Sequence, residues 1–194
     1  MQTITVAGTT KSIRKVSHDS KRRRRCRLLV LAMTFSLNAC AQSLEPMWNA
    51  EMKQIEFWKF VEYMPTRLPL KEKAEAEKLF NTVLVRSETS NEYSDHFKGG
   101  PVHLAGGVEI VNVDLRINKA HPGQGLLVLT MGGKCIERSV VLERQHGMQI
   151  TNVPRGRSLD EETSWSQMLA WGKLSFGFTE RQPDCLKSLV FATL

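Results

Sequence analysis

The spacing of apolar residues changes once along this chain, from a helical period before residue 100 to an alternating one after it. Between Ser43 and about Met64, Trp48, Met52 and Ile55 fall on one side of a helical projection, while Phe57, Phe60, Val61 and Met64 spread round much of the other. Ser43 as N-cap and Pro46 in the first turn set its start. A helix apolar on more than one face is expected to be buried between layers or to await a partner. Pro65 and Pro69 break the pattern, and Lys71 to Val85 reads as a second helix whose Leu79, Phe80, Val83 and Leu84 come late, where the chain starts to turn extended. Arg86 to Gly100 is polar and runs into Gly99-Gly100-Pro101, which predicts a loop.

Beyond it, Val111, Val113, Leu115 and Ile117 interleave with Asn112, Asp114, Arg116 and Asn118, the signature of a strand with one buried face. A turn from Ala120 to Gly125 leads into the continuous apolar run Leu126 to Met131, suited to a central strand. Cys135 to Gln145 predicts a short helix, and Met148 to Val153 another strand. Thr163 to Trp171 and Lys173 to Phe178 predict a hairpin about Gly172, and Leu186 to Leu194 a final strand. Helices first and strands afterwards predict an α+β domain: N-terminal helices packed on an antiparallel sheet of about five or six strands, with one disulfide. No internal repeat is evident.

Charge alters this picture only at the N-terminus. The chain has 194 residues, a net charge of +7 and a pI near 9.4, values that invite a nucleic-acid reading. Nine of the 27 Lys and Arg, but one of the 20 acids, fall in residues 1–39, so that segment carries +8 and the remainder −1. The basicity belongs to the leader, and the domain behind it offers no global support for binding nucleic acid. Within the leader, the cationic run Lys21 to Arg27 precedes a mostly apolar stretch, Leu28 to Leu37, and then the small residues around Asn38-Ala39-Cys40-Ala41. These are the three parts of a secretory signal, and the apolar stretch is too short to span a bilayer as a helix. Leu37-Asn38-Ala39-Cys40 resembles the lipobox of bacterial lipoproteins, which implies that Cys40 becomes a lipidated N-terminus. Ala39-Cys40-Ala41 is equally an A-x-A site for ordinary signal peptidase, which would leave Gln42 first. Residues 1–41 are therefore expected to be a signal peptide, of lipoprotein type, and 42–194 a single envelope domain.

Export gives the cysteines a meaning. Cys26 would leave with the signal and Cys40 would be lipidated or removed, so Cys135 and Cys185 remain to pair in an oxidising compartment. The pair lacks the four closely spaced ligands of a structural zinc site, and no metal or cofactor is expected.

G-x-S-x-G, Walker A, H-E-x-x-H and strand-borne G-x-G-x-x-G signatures are all absent from the sequence. His96, His103, His121 and His146 are scattered, with no pair placed to share a helical face. The most distinctive segment is Pro154 to Trp165, where Arg155 and Arg157 flank Gly156 and are followed by Ser158, Asp160, Glu161 and Glu162. Either it is a projecting loop whose guanidinium groups grip a carboxylate or phosphate, or Ser158 and Glu161 cap one helical turn and the arginines pair with the nearby acids. Trp165 and Trp171 alternate along the next strand and are expected in the core, with an exposed aromatic platform as the other reading.

The expectation is a non-enzymatic binding lipoprotein of the periplasm, anchored through Cys40. The residue after Cys40 is not aspartate, which by the lipoprotein resemblance favours the outer membrane. Its partner would be a protein of the envelope such as a toxin or hydrolase, blocked as an immunity or inhibitor protein blocks its target, with Arg155, Arg157, Asp160, Glu161 and Glu162 at the contact. The competing classes are a small envelope hydrolase with His96 or His103 as base, and a structural lipoprotein that docks through its aromatic first helix.

Overall fold

The computed structural model describes residues 52–194. The leader, Cys40 with both cleavage sites, and the beginning of the first predicted helix, with Ser43, Pro46 and Trp48, lie outside the described residues.

The described chain is mostly β. Three short helices, α1 (Phe57–Tyr63), α2 (Lys73–Phe80) and α3 (Arg138–Arg144), accompany nine strands. The strands are β1 (Val85–Arg86), β2 (Ser94–Gly99), β3 (Val102–His103), β4 (Val108–Asn118), β5 (Gly125–Gly133), β6 (Gln149–Asn152), β7 (Glu162–Leu169), β8 (Gly172–Thr179) and β9 (Ser188–Thr193). All join one antiparallel sheet in the order β1-β2-β4-β5-β9-β8-β7-β6, with β3 beside β4. No helix among the described residues is long and apolar enough to cross a membrane.

The expected sheet of five or six strands under a helical layer is thus corrected to nine strands with few helices. Of the strands not foreseen, β2 lies within the segment read as a polar loop, and the two-residue strands β1 and β3 stand at its two ends. In β2 only Phe97 is a large apolar residue, because His96 and Lys98 pair with Arg116 and Asp114 on the sheet face that carries no helix. A strand with one open face and one aromatic residue has too little apolar alternation to be seen. The helices are also shorter than their patterns. Met52 to Glu56 precede α1 as turn and coil, and after Tyr63 the chain tightens to a 3-10 turn over Met64–Arg67. Asn81, at φ 47°, ends α2 in the left-handed region, as C-terminal caps commonly do.

Directly opposed residues of an antiparallel pair share a face, so the register sorts the sheet into two surfaces. On one, Val113, Leu129 and Leu189 align across β4, β5 and β9, as do Leu115, Leu127 and Phe191; Phe176 and Leu174 of β8 extend these rows. Phe57, Phe60 and Met64, Leu79 and Phe80, and Val141 cover this side and share one core cluster with it. Trp58 lies 6.4 Å from Phe176, and Phe60 lies 6.3 Å from Phe80. Trp165 and Trp171 are half-buried against the same cluster, although Trp171 sits in the β7–β8 turn, where its ring lies 5.8 Å from Phe191.

The second surface is polar. Thr151 and Ser166 hydroxyls lie 2.6 Å apart, and Ser166 donates to Ser175 at 2.7 Å, forming a hydroxyl chain across β6, β7 and β8. Ser188 of β9 donates to the Glu162 carboxylate of β7, passing over Gly177 of the intervening β8. A Cβ at position 177 would lie 2.1 Å from that carboxylate and 2.2 Å from the Ser188 hydroxyl, so glycine is what lets the bond cross the strand. Leu126, Val128, Val190 and Ala192 face this side and stand outside the core cluster.

From β5 the chain crosses to the far edge through Lys134–Met148, with α3 midway, and returns as the meander β6-β7-β8-β9. The Cys135–Cys185 disulfide closes this excursion. Around it, Leu186 N–H donates to the Ile136 carbonyl at 2.9 Å, Arg138 N–H to the Asp184 carbonyl at 2.9 Å, and the Arg138 guanidinium to the Asp184 carboxylate at 3.0 Å. The bond joins cysteines 50 residues apart, for which chain entropy gives about 4 kcal/mol of stabilisation. Urea unfolding of Cys135→Ser/Cys185→Ser beside the oxidised protein is expected to show a loss of that order; equal midpoints would assign the junction to packing alone.

Candidate functional site

The segment joining β6 to β7 lies at one end of the β6–β9 meander. Its downstream half is pinned to the β8–β9 loop: Arg181 N–H donates to the Leu159 carbonyl at 2.8 Å and Glu180 N–H to the Glu161 carbonyl at 3.1 Å. The Arg181 guanidinium holds the Asp160 carboxylate through Nε at 2.9 Å. The same β8–β9 loop carries Cys185, so the disulfide also steadies the platform on which this segment rests.

Each acid of the segment is used internally. Asp160 pairs with Arg181, Glu161 accepts the Arg155 backbone N–H, and Glu162, half-buried on β7, accepts from Ser188. Ser158 accepts from Asp160 N–H at 3.1 Å, and Glu161 N–H returns to the Ser158 carbonyl at 3.2 Å. The result is a turn rather than a capped helix. The arginines do not pair with the neighbouring acids. Arg155 and Arg157 are exposed, and neither guanidinium has an ion-pair or hydrogen-bond partner among the described residues. Gly156 between them sits at φ 75°, a left-handed conformation costly for other residues, with open space around it. Leu159 and Val153, 55% and 57% exposed, add apolar surface on either side. Chemically the tip offers two planar cations beside apolar contacts, a combination suited to carboxylate or phosphate recognition.

Sequence reading singled out the five residues but missed Arg181, which decides the outcome. Its signal was the Arg181 charge in a turn otherwise defined by Pro183, and only the strand order brings that turn under Asp160.

The histidines remain apart. His103 lies 3.6 Å from the Glu109 carboxylate on the adjacent strand. His96 Nε2 is 2.8 Å from the Ser94 hydroxyl and Nδ1 is 2.9 Å from the Thr89 hydroxyl. Asp95, its sequence neighbour, instead binds Arg86 at 2.7 Å and Lys119 at 3.5 Å. Among the described residues no group of three His, Cys, Asp or Glu is gathered to hold a metal ion.

Hydrogen bonding from Arg181, and then its charge and that of Lys187, hold the Asp160 carboxyl below its ordinary pKa; Arg86 does the same for Asp95. A depressed carboxyl contributes stability above its unfolded pKa and loses it as pH falls through the folded value. Between about pH 7 and pH 3, the thermal midpoint of the protein should therefore fall, while Asp160→Asn lacks one contribution from the start. The gap between the two is expected to narrow on acidification; a constant gap would mean that the Asp160–Arg181 pair contributes nothing.

Compared with protein-family models, curated proteins and solved structures, the chain matches none, so the chemistry of the loop itself has to carry the functional reading.

Proposed function

We propose that this chain is a non-enzymatic binding domain of the bacterial cell envelope. In this reading it is exported by its leader, anchored through Cys40 to the outer membrane, and docked on an acidic protein partner through the β6–β7 loop. The partner is a toxin or hydrolase acting in the envelope, and the chain restrains it as an immunity or inhibitor protein would. One observation carries the reading: Asp160, Glu161 and Glu162 are consumed in holding the loop, leaving the Arg155 and Arg157 guanidinium groups unpaired at its tip. Arginine is among the residues that dominate binding energy at interfaces, and a loop fixed by the body of the domain loses less entropy when it docks. The compartment rests on the leader and on the lipobox resemblance at Leu37–Cys40.

The test compares two baits in an envelope extract. The wild-type protein is expected to retain an acidic envelope protein in stoichiometric amount, and Arg155→Glu/Arg157→Glu to lose it while keeping the same thermal midpoint. Equal retention by both would remove the loop from the interface, and no retained protein would remove the binding reading.

A second reading, a small envelope hydrolase, is favoured by the Ser94 hydroxyl at 2.8 Å from His96 Nε2, within the reach a base needs to activate a nucleophile. Against it, the other imidazole nitrogen meets the Thr89 hydroxyl in place of a carboxylate. Under this reading a fluorophosphonate would label Ser94 and leave Ser94→Ala unlabelled. The binding reading expects no labelling of either.

A further inference from the structure

On the helix-free side of the sheet, His96, Arg116, Leu126, Ala192 and Lys173 stand directly opposite one another across β2, β4, β5, β9 and β8. This row lines a groove of about 530 Å³, with the exposed Tyr93 at its rim. No Asp or Glu side chain lines the groove, which the exposed terminal residue Leu194 also borders. Its floor is apolar where Leu126 and Ala192 meet, and a cation stands on either side of that floor.

The two cations are prepared differently. Arg116 donates from Nε and one Nη to the two oxygens of Asp114, at 3.2 and 2.9 Å, leaving the other Nη without a partner among the described residues. Asp114 is buried although its side of the sheet carries no helix, since the guanidinium it holds shields it. A buried ion pair returns little net stability once its desolvation is counted, whereas it does fix the direction of the guanidinium. The Lys173 ammonium has no hydrogen-bond or ion-pair partner among the described residues. Three strand spacings separate β4 from β8, so the Arg116 and Lys173 backbones lie roughly 14 Å apart.

We propose that this groove binds a doubly anionic small molecule with an apolar middle, one anionic group meeting Arg116, the other Lys173, and the middle lying on Leu126 and Ala192. Both the volume and the mixture of an apolar floor with a few placed polar groups are those of a ligand site. The site is separate from the β6–β7 loop and stands whether or not that loop docks a protein.

The spacing of the cations makes the proposal testable by ligand length. Isothermal titration of the purified protein at low ionic strength would compare sebacate, adipate and decanoate: a dianion of matching span, a shorter dianion, and a monoanion as long as the first. Sebacate is expected to bind at least about tenfold more tightly than either of the others, the scale of one charge-assisted contact. Lys173→Glu should bring sebacate to the level of decanoate without changing the thermal midpoint. Replacing Arg116 alone would strand the Asp114 charge and threaten the fold, so the other end is tested with Asp114→Asn/Arg116→Gln, which keeps a neutral pair and should lose sebacate to the same degree. Decanoate binding as tightly as sebacate, sebacate binding unchanged by Lys173→Glu, or no measurable binding of sebacate would each overturn the proposal.

Discussion

The pairing of β5 with β9 is the constraint on which the rest of the structure depends. The strands β2 to β5 form one antiparallel group and β6 to β9 another, and a single ladder from Gly125–Thr193 to Thr130–Ser188 fuses them into one sheet. Without it neither group has a complete core, because Leu127 and Leu129 of the first bury themselves against Phe191 and Leu189 of the second. Such pairing brings together residues 58 to 68 positions apart in sequence, so its loop-closure entropy must be met before any contact rewards it. The Cys135–Cys185 bridge and the hydrogen bonds of Ile136 and Arg138 sit just past the end of that ladder, where they limit how far the crossover can stray.

The two faces of the sheet are stabilised by different physics. One is a conventional core in which Phe60, Phe80, Phe176 and Phe191 are fully buried. The other buries small hydroxyls and one carboxylate, which is tolerable only because they satisfy each other: Ser166 with Thr151 and Ser175, Ser188 with Glu162, and Asp114 with Arg116. Removing a single member leaves a shielded polar atom unpaired, so this face tolerates change less well than its exposure suggests.

Much of the sheet was legible in the sequence where one face is apolar. The alternation from Val111 to Ile117, the run Leu126 to Met131, the hairpin about Gly172 and the final strand all correspond to observed strands, and the paired cysteines to a bridge, except that the bulge between Ile110 and Asn112 leaves Val111 exposed and puts Ile110 in the core. What escaped is β1, β2 and β3: β1 and β3 are two residues each, too short for any alternation to show, and β2 gives the core only Phe97 while β3 gives it only Val102. The loop's five residues were visible as a cluster, but its internal economy was not. Whether Asp160 faces Arg157 or Arg181 depends on which turn the sheet order brings beneath it. Asp114 and Arg116 could have been read as one face of β4 from their spacing, whereas Lys173 joins them only through two intervening strands.

The ends of the sheet have a consequence for its behaviour in a crowded compartment. At one edge β1 offers two residues, and at the other β6 offers four exposed ones interrupted by the bulge at Thr151, where the register against β7 shifts between Ile150 and Asn152. An incoming strand therefore finds only a short or irregular row of free N–H and C=O groups at either edge. The long, regular, apolar strands that would template fibrillar growth lie in the middle, already paired on both sides. The geometry that makes this sheet wide is also what keeps it finite.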